Sequence, residues 1–146
     1  TGWRIGFLAA PKPIAKAINA LQSHSTSNAT SFAQKGALAA LTGPQTHLDQ
    51  WLTEFNNRRS YAAERLNNMG GVSCVNSRGA FYLFPNIEDT GLKSAEFCER
   101  LLEQSKVAAV PGIAFGADSN FRISYATSME NIQNGMDRLE EFCKSL

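Results

Sequence analysis

An excess of charge of one sign is missing from this sequence: Lys and Arg number 14 against 13 acidic residues, for a net charge of +1. Nucleic acid and anionic membranes select basic surfaces, so neither is an expected partner. Long apolar runs are missing too, and no stretch approaches the ~20 residues of a membrane span. Cysteine is scarce: Cys74, Cys98 and Cys143 stand far apart, with no Cys-x-x-Cys spacing. With only 2 histidines, His24 and His47, no metal site is expected. Free buried thiols in a reducing, cytoplasmic setting are the expectation for the cysteines. The start, Thr1-Gly2-Trp3, carries no initiator Met, basic n-region or leader and reads as the interior of a longer chain.

What is present describes a folded chain. Hydrophobic residues make up 43% and charged residues 18% of 146 positions, enough apolar material for a core and too little charge for disorder. Alternation over Trp3, Ile5 and Phe7 predicts a strand, ended by Pro11 and Pro13. A short helix follows with Ile14, Ala17, Ile18 and Leu21, then a hydroxyl-rich loop over 23–28. Ser27 or Asn28 is expected to cap a second helix carrying Phe32, Ala33, Gly36, Ala37 and Leu41. The longest helix carries Leu48, Trp51, Leu52, Phe55, Ala62, Leu66 and Met69 and stops at Gly70-Gly71.

The runs 72–75 and 80–84, separated by Asn76-Ser77-Arg78-Gly79, predict a hairpin. Ser94 is expected to cap a helix whose inner face holds Phe97, Cys98, Leu101 and Leu102. Short strands over 107–110 and 121–125 follow, and Ser128 caps a closing helix with Ile132, Met136, Leu139 and Phe142. From about residue 44 this order makes an α/β layer, a small sheet covered by helices. Residues 1–43 fit it poorly, because their one strand has no partner of its own.

Two arginines interrupt apolar strands. Arg4 shares a strand face with Gly2 and Gly6, which leave open space on both sides of its guanidinium. Either an oxyanion lies against that backbone, gripped by the Arg fork, or Arg4 reaches solvent from an edge strand. Arg122 lies opposite Phe121, Ile123 and Tyr125 and shares its face with Ser124 and Ala126. A semi-buried arginine needs a carboxylate partner. Spacing alone favours an internal Asp or Glu, with a ligand carboxylate as the alternative. His24 in its loop and His47 near a helix start read as solvated side chains, and Asp118-Ser119-Asn120 reads as a turn. Gly112-Ile113-Ala114-Phe115-Gly116 is no phosphate loop, since no Lys-Ser/Thr follows it.

Taken together, four segments carry a resemblance. Thr1-Gly2-Trp3-Arg4-Ile5-Gly6-Phe7 resembles the segment after the catalytic lysine of class I pyridoxal-phosphate aminotransferases, and Phe121-Arg122-Ile123-Ser124-Tyr125-Ala126-Thr127-Ser128 resembles that family's carboxylate-binding strand. Gly79-Ala80-Phe81-Tyr82-Leu83-Phe84-Pro85 and Val110-Pro111-Gly112-Ile113-Ala114-Phe115-Gly116 match further family segments in the same order. The similarity is closest to the bacterial aspartate aminotransferase branch.

The resemblance implies the fold-type-I aminotransferase fold: its small C-terminal domain, a sheet covered by helices, plus a strand and two helices of the large domain. Residues 1–43 would be the strip of the large cofactor domain, and 44–146 the bridging helix and small domain. It implies pyridoxal 5'-phosphate as cofactor, amino acid and 2-oxo acid substrates, and a homodimer. By resemblance Arg4 takes the cofactor phosphate and Arg122 the substrate α-carboxylate. The family's Schiff-base lysine would lie upstream of Thr1, and Lys12, Lys16 and Lys35 are wrongly placed to replace it, so the 146 residues alone are expected to be inactive. Aspartate or aromatic amino acid transfer to a 2-oxo acid is the leading expectation. A lyase, decarboxylase or cyclopropane-carboxylate synthase of the same fold, and a non-catalytic binding or scaffold domain, are the alternatives.

Overall fold

Residues 2–146 are described by a computed structural model, and they divide into two compact units that meet between His47 and Leu48. The first unit holds an extended segment and two helices, α1 (Lys12–Ser25) and α2 (Ser31–Thr42). Pro11 precedes α1 and Pro13 sits in its first turn, where a missing N–H costs nothing. The helix runs through Ser25, further into the hydroxyl-rich stretch than expected. Neither Ser27 nor Asn28 caps α2; Thr30 takes that position without a side-chain hydrogen bond.

The strand expected at 3–8 does not form. Its backbone has no ladder partner among the described residues, and an extended segment without one gains no strand hydrogen bonds. Arg4 adopts φ +54°, which breaks the alternation that would have placed it on one face with Gly2 and Gly6. Trp3 packs edge-on against Phe32, with ring centroids 5.3 Å apart. It also closes over Gly36 of α2, so that a Cβ there would collide with the indole.

The second unit contains α3 (Thr46–Asn67) from Leu48 onward, β1 (Tyr82–Leu83), α4 (Ser94–Ser105), β2 (Val110–Pro111), β3 (Phe121–Ser124) and α5 (Met129–Lys144). The three strands form an antiparallel sheet in the order β1-β3-β2. Tyr82 pairs with Ser124 and Leu83 with Ile123; on the other edge Val110 pairs with Arg122 and Pro111 with Phe121.

Alternation along β3 is as the sequence predicts: Phe121, Ile123 and the following Tyr125 are buried, while Arg122 is half-buried and Ser124 exposed. The buried face meets Leu66, Leu83, Ile87, Phe97, Leu101, Leu139 and Phe142 in one apolar core. Phe97 anchors it, stacked on Phe121 at 5.0 Å and edge-on to Phe142 at 5.3 Å. Truncating such a fully buried ring to Ala costs about 3–5 kcal/mol.

The hairpin across Asn76–Gly79 is also corrected. Among the described residues the segment 72–75 forms one β-bridge, Ser73–Asn86, just beyond the later run. The Asn67 carboxamide at the end of α3 instead accepts from the Cys74 N–H and donates to the Cys74 carbonyl, both at 2.9 Å. Ser73 exchanges both of its backbone hydrogen bonds with Asn86, so the Cys74 groups face the opposite edge, where Asn67 satisfies them. β1 pairs with β3, and the Tyr125 hydroxyl fixes the turn before it by donating to the Ala80 carbonyl at 2.9 Å.

Ser128 caps α5 as expected, its Oγ accepting from the Asn131 N–H at 3.2 Å. Ser94 does not cap α4. It is the first helical residue, and its hydroxyl is turned to other use; Leu102 is half exposed rather than on the inner face. The long helix α3 buries Ala62, Ala63 and Leu66, whereas Trp51 and Leu52 of the same stripe stay exposed. Among the described residues, no helix is long and apolar enough to cross a membrane.

Candidate functional site

The second unit gathers a site around Arg122. On β3, Arg122 lies diagonal to Tyr82, because Tyr82 pairs with Ser124 two residues on. The guanidinium carbon stands 4.4 Å from the centroid of the Tyr82 ring and 4.8 Å from that of Phe115. Phe115 comes from a single 3₁₀ turn, Gly112–Phe115, that follows β2 directly. Its ring is in turn braced edge-on by Phe84 at 5.8 Å. The cation thus lies over two aromatic rings, an arrangement that stabilises its charge and consumes none of its N–H groups.

The internal carboxylate that spacing favoured for Arg122 is not there. Ion pairs among the described residues use Arg58, Arg65, Lys93, Arg100 and Lys144, and none includes Arg122 or Arg4. Aromatic faces stabilise the half-buried charge in place of an acid, and the bidentate edge stays uncommitted. Tyr82 and Phe115 were not singled out from the sequence. Their signal was present in aromatic residues at both segments flanking the Arg122 strand, yet only strand register shows that they converge on it.

The turn that carries Phe115 is built without slack. A Cβ on Gly112 would collide with the carbonyl oxygens of Ala117 and Asn120, so only glycine fits. The Gly112 N–H donates to the Asn120 carbonyl at 2.8 Å, and the Ala117 N–H returns to the Gly112 carbonyl at 3.0 Å. Gly116 ends the turn at φ +79°. The loop beginning Asp118-Ser119-Asn120 is therefore the partner of this turn.

In the first unit Arg4 is exposed and makes no hydrogen bond or ion pair among the described residues. Open space surrounds the positions where Gly2 and Gly6 would carry a Cβ. An exposed, unpaired guanidinium fits an anionic oxygen group such as a phosphate, although not through the strand-face geometry the alternation suggested. The nearby groove of about 970 Å³ lined by Phe7, Gln22, Leu38 and Leu41 does not include Arg4.

The remaining candidates fall away. His24 lies in the last turn of α1 and His47 in the first turn of α3. No cluster of His, Cys, Asp or Glu suited to a metal ion occurs among the described residues. Burial pushes the Cys98 thiol up to about 11, and burial with the Glu140 charge does the same for Cys143. Cys74 is raised by burial as well. Thiols shifted in that direction are poor nucleophiles at neutral pH.

The family model "Aminotransferase class I and II" matches residues 1–139. The chain belongs to this family. It is 45% identical to the aspartate aminotransferase of Geobacillus stearothermophilus over 99% of its own length, and 46% identical to that of Bacillus subtilis over 97%. It spans only 38% and 37% of those relatives. Among solved structures, it superposes on the aspartate aminotransferase of Rhizobium meliloti with a TM-score of 0.91 at 37% identity, covering 98% of this chain and 38% of that one. An aromatic aminotransferase from Pyrococcus horikoshii matches with a TM-score of 0.92 at 40% identity, over 99% of this chain and 40% of that one. The α/β architecture is thus that of the fold-type-I aminotransferases.

Proposed function

We propose that this sequence serves in a pyridoxal-phosphate aminotransferase that moves an amino group from an acidic or aromatic amino acid to a 2-oxo acid. The observation that carries the reading is Arg122, held over two aromatic rings and paired with no acid among the described residues. Donor and acceptor substrates of such a reaction share one feature, the carboxylate next to the reacting carbon. A fixed guanidinium edge binds that carboxylate bidentately in both half-reactions and holds the carbon in register. Arg4 takes the cofactor phosphate, which its exposed, unpaired charge supports. The cofactor, when bound, supplies the carbonyl carbon that receives the amino group and gives it back.

In this reading residues 1–43 belong to the cofactor domain and 44–146 to the bridging helix and small domain of a cytoplasmic homodimer. On the same reading none of Lys12, Lys16 and Lys35 serves as the Schiff-base lysine, and the 146 residues alone are inactive. The names of the relatives, aspartate and aspartate/prephenate aminotransferases, support an acidic substrate. The test is single-turnover amino transfer by the full-length protein with aspartate, phenylalanine and 2-oxoglutarate. Amino transfer to the 2-oxo acid supports the reading. Release of CO₂ or ammonia without such transfer replaces it with a decarboxylase or lyase.

A further inference from the structure

Ser94 is the one polar residue that the second unit buries completely among those described, with no exposed surface at all. A buried hydroxyl is costly unless both its donor and its acceptor are used. Here both are. Ser94 Oγ donates to Asp118 Oδ1 at 2.7 Å and accepts from the Ile113 N–H at 3.1 Å. The Ser94 N–H meets the same loop, 2.9 Å from the Asp118 carbonyl and 3.2 Å from its Oδ1. Ile113 lies within the Gly112–Phe115 turn, whose last residue sets its ring centroid 4.8 Å from the Arg122 guanidinium carbon.

We propose that Ser94 is a positioning residue for substrate carboxylate binding, acting through the Gly112–Phe115 turn to hold the Phe115 ring against Arg122. The inference rests on the reading of Arg122 as the carboxylate site. Its physical content is a three-part chain. Asp118 orients the Ser94 hydroxyl, the hydroxyl fixes the Ile113 N–H, and the turn so fixed places Phe115. The ring then holds the guanidinium in one plane, so a carboxylate meets a preorganised fork rather than a mobile one. The α4 N-terminus, 19 residues earlier than Ile113 in the chain, thereby sets the geometry of a strand residue it does not touch.

The experiment uses the full-length aminotransferase and succinate, a dicarboxylate without an amino group, with its dissociation constant read by calorimetry. Ser94→Ala is expected to weaken succinate about 5- to 20-fold, and Phe115→Ala by a similar factor, as for other shared networks. Because Ser94 acts through Phe115, adding Ser94→Ala to Phe115→Ala should change the constant by less than about twofold. A general loss of packing would instead cost the same factor in both backgrounds, and that result overturns the proposal. So does a Ser94→Ala protein that binds succinate like the parent. Should Ser94→Ala not fold, Asp118→Ala at its half-exposed position removes the orienting acceptor and must weaken succinate in the same direction. Arg122→Gln separates the two layers: succinate binding unchanged by Arg122→Gln removes the carboxylate reading itself, whereas loss there with no effect at Ser94 removes only the positioning role.

Discussion

The Arg122 guanidinium carbon lies over the Tyr82 ring, 4.4 Å from its centroid, and the two residues are diagonal neighbours across β1 and β3. Sheet register therefore fixes the orientation of the cation before any substrate arrives. Lysine at this position keeps the charge and loses both the flat stacking face and the paired N–H edge. Arg122→Lys is expected to raise the KM for the amino acid by about 100-fold, the worth of a bidentate charge-assisted pair. Tyr82→Leu removes only one stacking face and is expected to raise it about 3- to 10-fold. Steady-state kinetics on the full-length protein checks both, and a Lys variant with parental KM would contradict the assignment.

The core of the second unit was legible because its signals are local. Ile132, Met136, Leu139 and Phe142 follow helical spacing, and Phe121, Ile123 and Tyr125 follow strand spacing, so each buried face could be read directly. The site was half legible. Arg122 stood out by interrupting an apolar strand, but its surroundings depend on pairings between residues 40 apart, Tyr82 and Arg122, which spacing does not encode. The expected hairpin is reduced to the single bridge Ser73–Asn86, a register that spacing does not encode either. Over 3–8 the apolar alternation was genuine, yet a strand needs a neighbour, and the described residues supply none.

Gly112 offers a test of the turn itself. Any Cβ there meets two backbone carbonyls, of Ala117 and Asn120, that are held by their own hydrogen bonds and cannot swing aside. Gly112→Ala is therefore expected to destabilise the protein by about 2–4 kcal/mol, the cost of overpacking at a rigid backbone. Gly79→Ala is the control, since nothing stands within 4 Å of the added methyl. Urea unfolding monitored by circular dichroism compares them. Equal midpoints for the two variants would show that the turn yields more easily than its hydrogen bonds imply.

Buried thiols give a second readout. With Cys98 and Cys143 raised to about 11, their reactive thiolate form is scarce in the folded protein at pH 8. Alkylation of these cysteines by iodoacetamide is expected to be at least about 100-fold slower in the native protein than in urea, from thiolate scarcity and burial together. Peptide mapping after timed quenching identifies the modified sites. Rapid native labelling of Cys98 would contradict its burial against the core.

Glu140 sets the acid limit of the α3–α5 contact. Its carboxylate accepts from Lys144 at 2.6 Å and from Arg65 at 2.9 Å, and those hydrogen bonds hold its pKa below the ordinary value of 4.5. Arg65 also binds Asp137 at 2.7 Å, the bond that does most to hold its own pKa above the ordinary value. A carboxylate depressed in the folded state binds its proton more readily when unfolded. Its contribution is thus complete above pH 4.5 and is lost as the pH falls through the lower folded value. Glu140→Gln should lower the urea midpoint at pH 7, and the gap from the parent should close as the pH falls through the lowered folded value, below which both proteins carry a neutral group. Because these side chains reach solvent, added salt should narrow the gap at pH 7 as well. A gap that persists unchanged into acid would assign the effect of the substitution to packing rather than to charge.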